Sequence, residues 1–271
     1  TPYSFLWETA SRMRQGRYDA ALVLRYDHWW GAAAAALAGI PVRVGCSVPE
    51  CAPFLTHWID HPARSHWTEQ GLKVVEQLLQ TWQIGKASSQ QRLPLRFRVA
   101  AEEEQEAVAL WTEMELGENV VALHPGAGSP AKLWSEGRWA ALGASLIERG
   151  LQVVITGSQA ESAVAERIAE RIPGGRSIAG FTGLGLLAAF YQRCRLVVGV
   201  DSGPLHLAVA VNTPTVHLFG PADPVVYGPW GDPEKHRVVI AGFVKPCGRL
   251  DLKPPDGVSL NCMEGITVER V

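Results

Sequence analysis

Two spacings of apolar residues alternate along most of this chain. Short unbroken apolar runs of four to six residues give way to longer stretches where apolar side chains recur every three or four positions. The first spacing fits a strand buried on both faces, the second an amphipathic helix. From residue 101 the alternation is regular. It predicts helices over 102–116, 135–149, 160–171, 184–193 and 204–211, and strands over 120–124, 153–156, 177–179, 196–200 and 215–219. Strands separated by helices of about 10–15 residues predict a parallel, doubly wound α/β sheet.

The first hundred residues read less regularly. A helix over 5–15 stops at Gly16, and residues 19–24 form a short buried strand. An alanine-rich helix over 29–38 ends at Gly39 and Pro41, a permissive residue followed by a breaker. A second strand covers 42–45, and 49–62, rich in Pro, His and Trp, reads as loop. Residues 67–82 form an amphipathic helix, and 83–99, rich in Gly, Ser, Gln and Pro, read as an inter-domain linker. The pattern predicts two domains, 1–98 and 99–271, as a length of 271 residues also suggests.

Composition narrows the function classes. With 47% hydrophobic and 19% charged residues, the chain is neither disordered, collagen-like nor a coiled coil. A formal net charge of -2 argues against a dedicated nucleic-acid binder. The best apolar stretch, 31–42, is mostly alanine and well short of the ~20 residues a bilayer span needs. Charge divides unevenly: residues 1–100 hold 11 Lys+Arg against 7 Asp+Glu, a weak pointer to an acidic partner for that half. Cys46, Cys51, Cys194, Cys247 and Cys262 contain no C-x-x-C pair. They suit neither a zinc site nor a secreted disulfide framework, and read as reduced thiols of a cytoplasmic protein. Cys247 and Cys262 could still meet in space.

Ligands of open α/β sheets sit beyond the carboxyl ends of strands, at helix N-termini. Three loops qualify. After the strand at 120–124, Gly126 and Gly128 allow close backbone approach, Ser129 offers a hydroxyl and Lys132 a point positive charge, parts that suit a phosphate. The loop matches neither the P-loop nor the dinucleotide glycine fingerprint. After the strand at 196–200 come Asp201, Ser202, Gly203, Pro204 and His206. Ser202 with the N–H groups of Gly203 and Leu205 would cradle an anion, and His206 could reach the same group. The third loop, 219–224, is turn chemistry. Glu161 could accept ribose hydroxyls, and 180–184, with Thr182, could line a base pocket. Plainer explanations stand beside each: a solvated lysine, helix caps at Asp201, Ser202 and Thr182, a buried histidine, an acid in a first helical turn. The eight Asp residues form no Asp-x-Asp pair, so no metal set is expected.

Taken in order, these loops resemble glycosyltransferase family 9, the ADP-heptose:lipopolysaccharide heptosyltransferases. The matching pieces are His124-Pro-Gly with Lys132 and Trp134, Gly157 with Glu161, Gly180, Thr182 and Leu184, Asp201 through His206, and Phe219-Gly-Pro with Asp223-Pro224. Tyr18-Asp19 and the stretch from Gly39 to Gly45 match more faintly. The resemblance implies a GT-B fold, two Rossmann-like domains facing across a cleft, with the acceptor in the first and the donor nucleotide in the second. It implies inverting, metal-independent transfer of a heptose or related sugar from ADP-heptose, or a similar nucleotide sugar, to a phosphorylated lipopolysaccharide inner-core acceptor. No cofactor is needed, and membrane contact is at most peripheral, at the cytoplasmic face of the inner membrane. Ser202, Gly203 and His206 would hold the diphosphate, Lys132 would neutralise the leaving ADP, Glu161 would contact the ribose and 180–184 the adenine. The family's opening strand and its Gly-Asp loop, bearing the expected general base, have no counterpart. On that basis the N-terminal domain reads as incomplete by about two βα units, on the order of sixty residues. Asp19, Asp27, Glu50 and Asp60 do not match that motif, and no catalytic base is assigned. Two alternatives remain open: an ADP-sugar-binding homologue that turns nothing over, and a nucleotide-sugar epimerase of the same fold. Trp29, Trp30, Trp58 and Trp67 suit either sugar stacking or core packing.

Overall fold

A computed structural model describes residues 2–61, 64–85, 93–241 and 261–271. The chain divides into two compact units, Thr1–Leu93 and Pro94–Val271.

In the first unit, α1 (Pro2–Gln15) leads to β1 (Ala20–Val23), α2 (Trp29–Leu37), β2 (Val42–Cys46), β3 (His57–Ile59) and α3 (Trp67–Thr81). The three strands form one parallel sheet in the order β1-β2-β3. Four consecutive alanines, Ala32 to Ala35, are buried, which lets α2 pack closely against α1 and the sheet. At its end Gly39 takes φ +76, and the N–H of Ile40 returns to the carbonyl of Ala35, a left-handed cap that Gly adopts without steric cost. α1 ends at Gln15, just before Gly16 as the sequence predicts, and the left-handed residue at this end is Arg17 at φ 48.

β3 corrects the sequence reading, which took 49–62 for loop. The strand is three residues long, lies at the sheet edge and leaves Trp58 more than half exposed. Its central residue faces solvent, so no apolar run marks it in the sequence.

The second unit contains α4 (Ala101–Glu113), β4 (Val120–His124), α5 (Glu136–Glu148), β5 (Gln152–Ile155), α6 (Ser162–Glu170), β6 (Arg176–Ser177) and α7 (Leu184–Arg193). It continues with β7 (Leu196–Val200), α8 (Gly203–Ala210), β8 (Thr215–Phe219), α9 (Pro224–Tyr227) and β9 (His236–Ile240). All six strands are parallel, in the order β6-β5-β4-β7-β8-β9. Renumbered within the unit that order is 3-2-1-4-5-6, the Rossmann arrangement. β9 extends the sheet beyond the last expected strand. Its edge position leaves Arg237 and Ile240 outward, so it lacks the fully apolar run of its neighbours.

The absence of alternation in the central strands has a direct cause. Val121 and Leu123 of β4 point into one apolar cluster with Trp139, Ile155 and Ile168. Val120 and Ala122 point into another with Phe190, Tyr191 and Leu205. Both faces are buried, so the positions that meet these clusters are apolar. Phe97 and Val99 pack on the second cluster, and the Phe97 N–H donates to the Ala210 carbonyl. The end of the expected linker is therefore part of this unit. The cysteine-bearing tail falls largely within 242–260, and Cys247 with its pairing lies outside the described residues. Among the described residues no helix is long and apolar enough to cross a membrane.

Candidate functional site

In a 3-2-1-4-5-6 sheet, strand order reverses between the first and fourth strands, here β4 and β7, and the loops leaving them diverge to opposite faces. A cavity of about 570 Å³ opens there, within the range of small-molecule sites.

Side chains absent from the backbone make that opening possible. Gly199 of β7 lies opposite His124 of β4, and a Cβ there would meet the His124 carbonyl and Leu205. Gly126, just after β4, has the Glu161 carboxylate where its own Cβ would otherwise be.

Lys132 ends a short turn, Pro130–Lys132, and reaches Asp201, just past the end of β7. Its Nζ stands 2.5 Å from Asp201 Oδ2, with 17% and 7% of the two side chains exposed. This is a largely buried ion pair, not a solvated lysine. His206, one turn into α8, brings Nε2 to 4.0 Å from the other carboxylate oxygen.

Ser202 occupies the N-cap position of α8, but its hydroxyl makes no capping bond. The Oγ is buried and has no hydrogen-bond partner among the described residues. A buried hydroxyl left unpaired costs about 1–3 kcal/mol, and here it stands at the positive end of a helix dipole. The Leu205 N–H, expected to join the cradle, donates instead to the Ser202 carbonyl.

Glu161 closes the other side. Its Oε2 accepts from the N–H and the hydroxyl of Ser158, both at 2.7 Å, a capping box on the turn after β5. Burial pushes this carboxyl up, but the Ser158 bonds and nearby His124 outweigh it and hold the group below its ordinary range. Leu184 and Leu187 supply an apolar wall at the start of α7. Thr182 lines the cavity, while Gly183 takes the cap position expected for Thr182.

Of the residues singled out from sequence, Gly126, Gly128, Lys132, Glu161, Thr182, Asp201, Ser202 and Gly203 line this one cavity. Ser129 and His206 lie off it. The Ser129 hydroxyl is buried and accepts from the Ala131 N–H, bracing the turn that carries Lys132.

The sequence reading quoted His124 in a motif but gave it no role, and it missed the buried network behind it. His124 Nδ1 lies 2.9 Å from Thr156 Oγ1, which lies 2.9 Å from the Tyr191 hydroxyl. All three side chains are buried, and His124 lines the cavity. Burial lowers His124 to about 4 despite Glu161 nearby, and burial raises the Tyr191 phenol. Both are uncharged at neutral pH. The three residues are far apart in sequence, so no spacing signals the network.

In the first unit, Asp27 is bound by Arg25 at 2.6 Å, and that bond lowers its carboxyl. Trp30 stacks on Phe5 and Trp67 tilts against Tyr26, while Trp29 and Trp58 are substantially exposed.

Two Rossmann-like units in succession, the second opening at its switch point, place the molecule in the GT-B class of α/β proteins. The sequence pattern of glycosyltransferase family 9 (heptosyltransferase) matches residues 6–248. The chain belongs to that family. Lipopolysaccharide heptosyltransferase 3 of Escherichia coli is 34% identical over 121 residues, 43% of this chain and 36% of that protein. The chain thus matches little more than a third of that relative's length. Among solved structures, the E. coli ADP-heptose lps heptosyltransferase II superposes with TM-score 0.69 at 26% identity, over 98% of this chain and 77% of that one. A family 9 glycosyl transferase from Veillonella parvula DSM 2008 gives TM-score 0.73 at 24% identity, over 88% and 67%.

Proposed function

We propose that this chain carries out, or forms the body of an enzyme that carries out, transfer of a heptose or related sugar from an ADP-sugar to a lipopolysaccharide inner-core acceptor. Family membership supports the reaction class, and the names of the relatives supply the donor and the acceptor. The donor site is the second unit's cavity. The acceptor belongs with the first unit, at the cytoplasmic face of the inner membrane.

The observation that carries the reading is the unpaired Ser202 hydroxyl at the start of α8, beside Lys132. A diphosphate there would accept from Ser202 and from the Gly203 N–H, with His206 alongside. Lys132 would turn from Asp201 toward the β-phosphate as the sugar–phosphate bond breaks, meeting charge that develops on the leaving ADP. Hydrogen bonds and a lysine would then do what a divalent cation does elsewhere, so that transfer is metal-independent and, by displacement from the opposite face, inverting. Glu161, oriented by Ser158, has an oxygen left for a ribose hydroxyl. Thr182, Leu184 and Leu187 suit the flat, largely apolar adenine.

Isothermal titration with ADP, with and without EDTA, tests this. The expected result is binding unaffected by EDTA and weakened at least about tenfold in Ser202→Ala, the loss of one charge-assisted hydrogen bond. Absence of ADP binding by the folded chain would refute the donor-site assignment.

A further inference from the structure

Behind the cavity wall lies a buried polar chain that neither sheet packing nor the diphosphate cradle requires. His217 sits at the centre of β8 and is fully buried. Its Nε2 lies 2.9 Å from Thr215 Oγ1, and that hydroxyl lies 2.9 Å from Nδ1 of His236 on β9. Its own Nδ1 is buried with no hydrogen-bond partner among the described residues. The His217 ring stands 5.8 Å, centroid to centroid, from the ring of His206, and 6.4 Å from that of Phe219. His206 in turn approaches Asp201, which holds Lys132. A line of polar groups thus runs from β9 to the cavity wall.

A valine here would suit a buried strand and leave no nitrogen unpaired. An imidazole is useful in its place only where its polarity is felt, and the group against it is His206.

We propose that His217 is a positioning residue for the anion cradle: a buried, uncharged imidazole that supports positive charge on His206 beside Asp201. The proposal rests on the donor-site reading above. A charge on His206 set against an apolar side chain would lose solvation on that side. An imidazole whose partners, Thr215 and His236, can exchange donor and acceptor roles can turn its dipole to restore part of that loss. Burial, with the charges of His206 and His236 adding to it, lowers His217 to about 3, so it does not compete for the proton.

Charged and titratable groups face this pair from several of the described elements. Asp201, from the loop before α8, faces His206 and favours its charge, and Lys132 acts through Asp201 in the opposite sense. His236 faces His217 through Thr215, and is flanked by Lys235 and Asp232. A charged His206 shares Asp201 with Lys132. That loosens the carboxylate's hold on the lysine and adds a second cation beside the cradle. Both changes favour a bound diphosphate.

The test is an NMR titration of the His206 side chain in the full 271-residue chain, comparing wild type with His217→Val and His217→Gln. Melting temperature and ADP affinity are measured in parallel, at matched pH so that ADP's own titration cancels. His217→Val is expected to melt higher than wild type, to move the His206 midpoint to lower pH, and to bind ADP roughly three- to tenfold more weakly near pH 6.5. His217→Gln, polar but without a ring, is expected to recover most of the midpoint and the affinity. An unmoved His206 midpoint in both variants overturns the proposal, whatever their melting temperatures. A shifted midpoint in a chain whose wild type binds no ADP upholds the effect of His217 on His206 and sinks the donor-site reading instead.

Discussion

Lys132 and Ser202 occupy one cavity and predict opposite responses to the same truncation. Lys132→Ala removes the nearest counter-charge of the Asp201 carboxylate, 7% exposed, and leaves only His206, at 4.0 Å, among the described residues. Removing one partner of a buried pair costs about 3–5 kcal/mol, and a urea titration is expected to show a loss of that order. Ser202→Ala removes a hydroxyl that nothing among the described residues satisfies. Its stability is expected to hold or to rise by up to about 1 kcal/mol, while ADP affinity falls. Gly126→Ala isolates a third effect, since its Cβ must displace the Glu161 carboxylate. Weaker ADP binding, by about tenfold, with the Ser158 contact broken is the expected outcome, read by calorimetry. Residue types at loop positions were legible in the sequence because glycine, lysine and serine after an apolar strand have few uses. Their pairing was not. Lys132 and Asp201 are 69 positions apart, and nothing in either loop says that the lysine reaches that carboxylate.

At the scale of elements, strands with two buried faces announced themselves and edge strands did not. β4 and β7 match the expected ranges because burial on both sides forces nearly continuous apolar runs, and β8 matches although the buried polar Thr215 and His217 interrupt its run. β3 and β9 have one exposed side each and carry His, Trp and Arg. Helix ends were legible where glycine supplies a left-handed residue. Gly39 at the end of α2 has φ +76, and a methyl group added there would meet nothing within 4 Å. Gly39→Ala therefore strains only the backbone. A loss of about 1 kcal/mol is expected, measured by thermal melting, with no change in ADP affinity.

For the whole molecule, the switch point was deducible once the strands were ordered, and the charge asymmetry loses force. Arg96 and Arg98 fall in the second unit, so the first holds nine basic against seven acidic residues. Buried histidines, in contrast, make stability depend on pH. His124 and His217 have folded pKa values lowered to about 4 and about 3. The unfolded chain takes up protons near pH 6.5 that the folded chain refuses, so stability is full above that pH and falls as pH drops toward 4. Each histidine contributes a loss of roughly 3 kcal/mol by pH 4. Urea midpoints measured between pH 7 and 4 are expected to fall steeply in wild type and less steeply in His217→Val.

The buried ion pair at the cavity mouth also sets what the site ignores. Lys132 brings its own counter-ion, so occupation by an anion is an exchange in which Asp201 is the competitor. A monovalent anion such as chloride offers one charge from water against a carboxylate already at 2.5 Å and already desolvated. A diphosphate offers several charges, plus acceptors for the Ser202 hydroxyl and the Gly203 N–H that Asp201 does not engage. On the proposed donor-site reading, this exchange selects by valence: the pocket is expected to exclude chloride and to admit polyanions.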